Sequence, residues 1–308
     1  MNINNTFNCF LKYLNTFELF ISVAKWFDSA RNSKFGIRTG VSEQNFERFI
    51  TMSLFKIFIK NEVNLHTLEI KAAIIYYREL NEILELILQN QNFIHNIGNL
   101  KVNYIRGDND NTIINNHISQ IIHLHQNLKK ILIYGNFLSL CQLLLSKDYY
   151  CEISTYQKIN LIKNIKQSLN YLIIKICPVE DCSTCSSIIL KNLGQILPSK
   201  LDYISLDFTI KESDFRVFLE NSQYIFINKL LIKLKSGIDD ILHYIKEYIM
   251  KEKRVKYLAI KNIKNGELFD LKDEVREFKL HNIIVRRYSD LVIDFDDNDD
   301  YIWNIDKL

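Results

Sequence analysis

Three cysteines stand close together in the middle of the chain: Cys177, then Cys182-Ser-Thr-Cys185. Two thiolates separated by two residues can reach one tetrahedral zinc ion, and a thiol of lowered pKa in such a pair can exchange disulfides. A closed zinc site needs four ligands, and no second pair follows at a recognised spacing. His117, His123 and His125 form the other cluster. On a helix His123 and His125 point to different faces, so a shared ion would need His117 or a distant residue. The glycines make no phosphate-binding loop of either common type. No paired carboxylates and no nucleophile–histidine–acid set can be singled out. The residues therefore point to no enzyme, no catalytic group, no metal and no cofactor. The Cys177/Cys182/Cys185 cluster supplies the alternative, a metal or redox protein.

The elements around these residues are better defined than the chemistry. Ile227 to Lys261 reads as strand, helix, strand. Ile238, Ile241, Leu242, Ile245, Tyr248 and Ile249 recur at helical steps, so they share one face. Ser236 is a candidate N-cap, Asp239 and Asp240 suit the positive end of the helix dipole, and Lys251 and Lys253 suit the negative end. The two flanking strands have the form apolar-x-x-apolar-x-apolar-Lys. Related phrases start at Leu65, Ile97, Leu128, Leu169, Leu201, Ile227, Val255 and Val275, at steps of 20 to 41 residues. Helical stripes lie between most of them: Leu80 to Leu88, Ile113 to Ile122, Leu138 to Leu145, Tyr156 to Ile165, Ile188 to Ile196, and Phe215 to Leu219 after Ser213 as N-cap. Strand-plus-helix units of unequal length predict an α/β fold of leucine-rich-repeat type. In such a solenoid a parallel sheet lines the concave side and helices the convex side.

Before the repeats, residues 7–31 and the stretch after Ser42 carry two helical stripes. Residues 1–64 are expected to form a helical N-terminal cap or lead-in, 65–288 the solenoid, and 289–308 an acidic tail or cap. The run from Asp294 to Asp300 lacks the glycine and distal glutamate of a calcium loop, so it reads as a solvated segment. Ile302 and Trp303 would close the apolar end.

Composition bounds the function classes. Of 308 residues, 47% are hydrophobic and 24% charged, which excludes global disorder. A net charge of +3 demands neither nucleic acid nor a membrane surface as partner. Only 8 Gly and 2 Pro suit a helix-rich chain better than one of many tight turns. No window is long and apolar enough to span a bilayer, and the first residues lack a signal-peptide pattern. Six cysteines in a chain this long read as reduced thiols of a cytoplasmic or nuclear protein.

The strand phrases do predict one surface. Their apolar positions face the core, so the alternate positions face the other way. One column of outward residues reads Lys71, Asn103, Tyr134, Lys175, Asp207, Lys233, Lys261 and His281. A second reads Thr67, Asn99, Lys130, Tyr171, Tyr203, Lys229, Tyr257 and Glu277. Tyrosine among lysines gives rigid apolar area with polar tips, as protein-binding surfaces use. The candidate concave-face binding set is Lys71, Lys130, Tyr134, Tyr171, Lys175, Tyr203, Asp207, Lys229, Lys233, Tyr257 and Lys261, with Lys279 from the last copy. Phosphate or RNA binding by these lysines is a further alternative.

The succession of short Leu-x-x-Leu-x-Ile strands on irregular helical spacers resembles the repeat region of F-box/leucine-rich-repeat proteins. The phrases ESDFRVFLENSQYIFINKLLIK, DDILHYIKEYIMKEKRVKYLAIKNI and LFDLKDEVREFKL are similar to the large F-box-like families of arbuscular mycorrhizal fungi. The resemblance runs from about Phe46 onward. It implies a substrate adaptor of an SCF-type ubiquitin ligase, with a protein target on the repeats and a Skp1-type adaptor on the F-box. An F-box usually opens with a Leu-Pro pair, whereas Pro178 and Pro198 both lie within the repeats. A divergent member, or a derivative lacking the F-box, is therefore expected.

Overall fold

Nine short β-strands occur among the described residues, in chain order, each pairing parallel with its neighbour wherever pairing is defined. The computed structural model describes residues 12–32, 43–61, 65–104, 112–125, 127–134, 168–176, 183–234, 237–264 and 266–293. They fall into two compact units, divided between Leu128 and Lys129.

The first unit opens with β1 (Tyr13–Asn15) and α1 (Thr16–Asn32). The Asn15 carboxamide oxygen accepts hydrogen bonds from the amides of Phe17, at 3.0 Å, and Glu18, at 3.2 Å, and so caps α1. Residues 7–31 were expected to be all helix, and the short strand before the cap is the difference. Next come α2 (Glu43–Lys60), β2 (Thr67–Ala72), α3 (Tyr77–Gln89), α4 (Gln91–His95), β3 (Asn99–Tyr104) and α5 (Thr112–Leu124). β1 pairs with β2 and β2 with β3. Leu68, Ile70 and Val102 are fully buried, as are Leu80, Ile83, Leu84 and Ile87 of α3. Arg48 of α2 donates from Nε to Glu82 of α3 at 2.9 Å.

The second unit contains β4 (Lys130–Tyr134), β5 (Tyr171–Lys175), α6 (Ser183–Ile196), β6 (Lys200–Asp207), α7 (Glu212–Asn221), β7 (Phe226–Leu234), α8 (Asp239–Tyr244), β8 (Val255–Asn262), α9 (Lys272–Leu280), β9 (Ile284–Val285) and α10 (Tyr288–Leu291). α8 continues as a wider π-type turn over Ile245–Met250. Ile204, Leu206, Leu230, Ile232, Leu258 and Ile260 pack beneath the helices at 0–1% exposure. Each such residue contributes about 2 kcal/mol of burial.

Two side-chain arrangements set the spacing of these helices. At Gly194 an added Cβ would fall 2.6 Å from the Phe218 carbonyl oxygen, so α6 approaches α7 closer than any other residue permits. Arg254, just before β8, is buried at 8% exposure. Its guanidinium donates to the carbonyls of Tyr248 at 2.7 Å, Ser222 at 2.7 Å and Leu219 at 3.4 Å. It thus satisfies helix-end carbonyls from two neighbouring repeats.

Seven of the eight strand phrases lie on strands β2 to β8. The eighth does not. The phrase Val275–His281 predicts a strand, but Lys272–Leu280 is helix α9. Val275 and Phe278 are three apart and share a helix face; Phe278 is fully buried and Leu280 is 83% exposed, the reverse of what a strand would do with Leu280. Asp273 and Glu274 in the first turn and Lys279 in the last turn suit a helix dipole. The strand follows at Ile284–Val285. α7 begins at Glu212, ahead of the expected cap Ser213, and has no side-chain cap bond. Ser236, Cys177, Cys182, residues 138–145 and 156–165, and the acidic run from Asp294 lie outside the described residues.

Candidate functional site

Every strand turns alternate residues away from the helices, and register decides which of them become neighbours. In the first unit Thr67 pairs with Asn99, Glu69 with Lys101 and Lys71 with Asn103. That face is polar. Asn99 Nδ2 donates to Thr67 Oγ1 at 3.0 Å, and Lys101 lies 3.9 Å from Glu69. The Tyr13 hydroxyl donates to Glu69, and Lys71 sits over the Phe17 ring at 4.5 Å.

In the second unit the face is wider and organised as three columns. The first runs Lys130, Tyr171, Tyr203, Lys229, Tyr257 and Ile284. The third runs Tyr134, Lys175, Asp207, Lys233 and Lys261. Both sequence-derived columns are thus in register from β4 to β8. Lys130 lies over Tyr171 at 4.9 Å and Lys175 over Tyr134 at 5.1 Å, within cation–π range. Lys233 donates to Asp207 at 3.2 Å, and Lys261 is 3.9 Å from Glu267. These pairs are part-exposed and add little stability, so they serve mainly to order the side chains. Lys279 does not belong to the face. It is an exposed residue of α9.

The middle column was not anticipated: Leu132, Ile173, Ser205, Leu231 and Ala259. Leu231 and Ala259 are fully buried, Tyr203 is 1% exposed, and Leu291 of α10 packs with them. Tyr288, Val292 and Ile293 lie against the same cluster, together with Tyr171, Ile173 and Tyr257. The C-terminal end of the described chain therefore folds over the sheet face. The Tyr203 hydroxyl accepts a long hydrogen bond from the Ile293 amide at 3.4 Å. The Tyr288 hydroxyl lies 3.5 Å from Ser205 Oγ, and burial pushes its pKa up to about 12. The signal for this cover was present in the strand phrases. KILIY, YLIIK, KLLIK and KYLAIK are apolar at the residue between the two core positions, a pattern of strands buried on both faces.

His125 is 1% exposed, with Nδ1 accepting from the Asn127 amide at 3.2 Å. Burial, and then the nearby His95, lower its pKa to about 4. Burial also lowers that of His117. Among the described residues no group of three or more His, Cys, Asp or Glu side chains is placed to hold a metal ion. Nor is any described helix long and apolar enough to cross a membrane.

What these features define is an α/β protein with a tyrosine- and lysine-bearing sheet face. The chain matches no protein-family model and no curated protein sequence.

Proposed function

We propose that the chain is a protein-recognition module that binds a protein segment on the tyrosine- and lysine-bearing sheet face of its second unit. The reading takes the fold as a leucine-rich-repeat-like solenoid with a helical N-terminal lead-in. Its role is that of an F-box-like substrate adaptor of an SCF-type ubiquitin ligase, or a derivative without the F-box, and not of an enzyme. The observation that carries it is the register of the columns. Tyr134, Lys175, Asp207, Lys233 and Lys261 stand side by side on successive strands, with Lys130, Tyr171, Lys229 and Tyr257 beside them. Part-exposed lysines around tyrosine rings suit a segment that carries acidic and apolar side chains. The cation–π pairs hold the rings and ammonium groups in place before a partner arrives, which lowers the ordering cost of binding.

The test compares partners captured from lysate by the wild-type chain and by Lys233→Glu/Tyr257→Ala/Lys261→Glu. Lys279→Glu, on α9, is the control. A partner lost from the triple variant and kept by the control is expected, and its direct binding to the purified chain should weaken at least about tenfold. Identical partner sets for all three chains would sink the reading. Binding to a purified Skp1-type adaptor tests the ligase link separately. Its absence would leave recognition standing and remove the adaptor role.

A further inference from the structure

The sheet face proposed to bind a partner is already occupied by the chain itself. Arg286 donates its amide to the Leu258 carbonyl at 2.9 Å, which ends the pairing of β9 with β8. Beyond that bond the chain turns, forms the single helical turn Tyr288–Leu291, and lays Tyr288, Leu291 and Val292 over the middle column. Hydrogen bonds inside the turn are of ordinary length. Asp290 donates to Arg287, and Val292 to Tyr288, both at 3.1 Å. Those from the turn to the face are longer: 3.4 Å from the Ile293 amide to Tyr203, and 3.5 Å between Tyr288 and Ser205. The Tyr288 amide reaches Glu267 at 3.2 Å, and Arg287 lies 3.5 Å from Asp270. The segment is thus fixed by backbone at its root, and beyond it is held by apolar packing and long hydrogen bonds.

Beneath the turn the sheet is made for an apolar occupant. Leu231 and Ala259 point away from the helix-side core, where Ile232 and Ile260 already serve. At the equivalent positions of the first unit stand Glu69 and Lys101. Only a covered face can hold leucine there without exposing it. Arg286, Arg287, Ser289 and Asp290 meanwhile remain exposed along the outer side of the turn.

We infer that residues 286–293 are an internal ligand of the recognition face, which a partner must displace. The inference rests on the recognition reading and gives the partner its chemistry: a helical turn presenting an aromatic residue and, three positions on, a leucine. Tyr288 and Leu291 have that spacing and lie on one side of the turn. An occupied face lowers apparent affinity in proportion to the vacant fraction. If the turn is seated about 99% of the time, a partner binds about 100-fold more weakly than to an open face.

The test uses the full chain and a labelled synthetic peptide of residues Arg286 to Ile293. Leu291→Asp should release the turn, because a carboxylate cannot remain against Leu231 and Ala259. The peptide is then expected to bind Leu291→Asp at least about tenfold more tightly than wild type. Adding Ala259→Glu should abolish that gain. A folded Leu291→Asp chain that takes up the peptide no better than wild type overturns the inference. A second measurement needs no variant. In wild-type hydrogen exchange the amides of Val292 and Ile293 should open well before those of Leu258 and Ile260. Equal protection would mark the turn as fixed core and overturn the inference too. If the peptide binds but the triple lysine/tyrosine variant keeps every partner, the internal ligand stands and the recognition reading fails. The converse result separates them in the other direction.

Discussion

His125 shows how one buried side chain makes a pH prediction. Its imidazole is enclosed at the end of α5 and its Nε2 has no hydrogen-bond partner. The folded state therefore favours the neutral ring, with a pKa near 4 against an ordinary 6.5. Above pH 6.5 neither the folded nor the unfolded chain holds the proton, and His125 costs nothing. As pH falls from 6.5 toward 4, the unfolded state gains a proton that the folded state cannot accept, so stability drops. The loss approaches about 3 kcal/mol at the acid end, of which about 2 kcal/mol appears by pH 5. His117 acts in the same direction. His125→Asn keeps an acceptor for the Asn127 amide without the titration. Urea midpoints of wild type should fall more steeply than those of the variant between pH 7 and pH 5. Parallel slopes would show that His125 is not held neutral. Sequence placed this histidine in a cluster, but not in a buried site, because burial is set by packing between elements that local pattern does not encode.

The elements were legible where pattern and end chemistry agreed. Apolar periodicity and the strand phrases together identified β2 to β8 and most of the intervening helices. At Val275–Leu280 the strand phrase was a chance match, and the helix-suited charges at the ends of that stretch were a signal left unused. What sequence could not display is how neighbouring repeats are joined. Arg254 reads as one more surface cation after a lysine-rich turn, yet it is buried beneath three helix-end carbonyls. Burial lowers its pKa, the mark of a desolvated cation, and its Nη2 has no partner. Replacing it with methionine keeps the bulk but strands those carbonyls. The cost is expected to be about 3 kcal/mol. Lysine has one donor group where three directions are served, so Arg254→Lys should recover less than half of that loss. Chemical denaturation of the three chains checks this. A methionine variant as stable as wild type would show that the buried charge contributes nothing net.

The second unit as a whole is built from neighbours. Each strand pairs only with the next in sequence, and each helix packs mainly on its own repeat and the adjoining one. In such an arrangement damage should stay local. The C-terminal turn is the exception. It reaches from β9 back to Tyr203 and Ser205 of β6, more than 80 residues away in sequence, and so ties three strands together. This is also why the strand phrases show the recognition columns, and an apolar middle column that must be covered, but not which segment covers it. Columns follow from local alternation, whereas the partner of Leu231 and Ala259 is set only when the chain returns across the sheet. Leu230→Ala, at the centre of the helix-side core, should cost about 3 kcal/mol. Hydrogen exchange is expected to show lost protection in β6, β7 and β8, with β4 close to wild type. Adding Leu291→Asp should then deepen the loss at β6 without extending it to β4, because that substitution removes a tie that skips a strand. A loss spread evenly from β4 to β9 would mean that the unit opens as a single cooperative body, and that the turn couples nothing the sheet does not already couple.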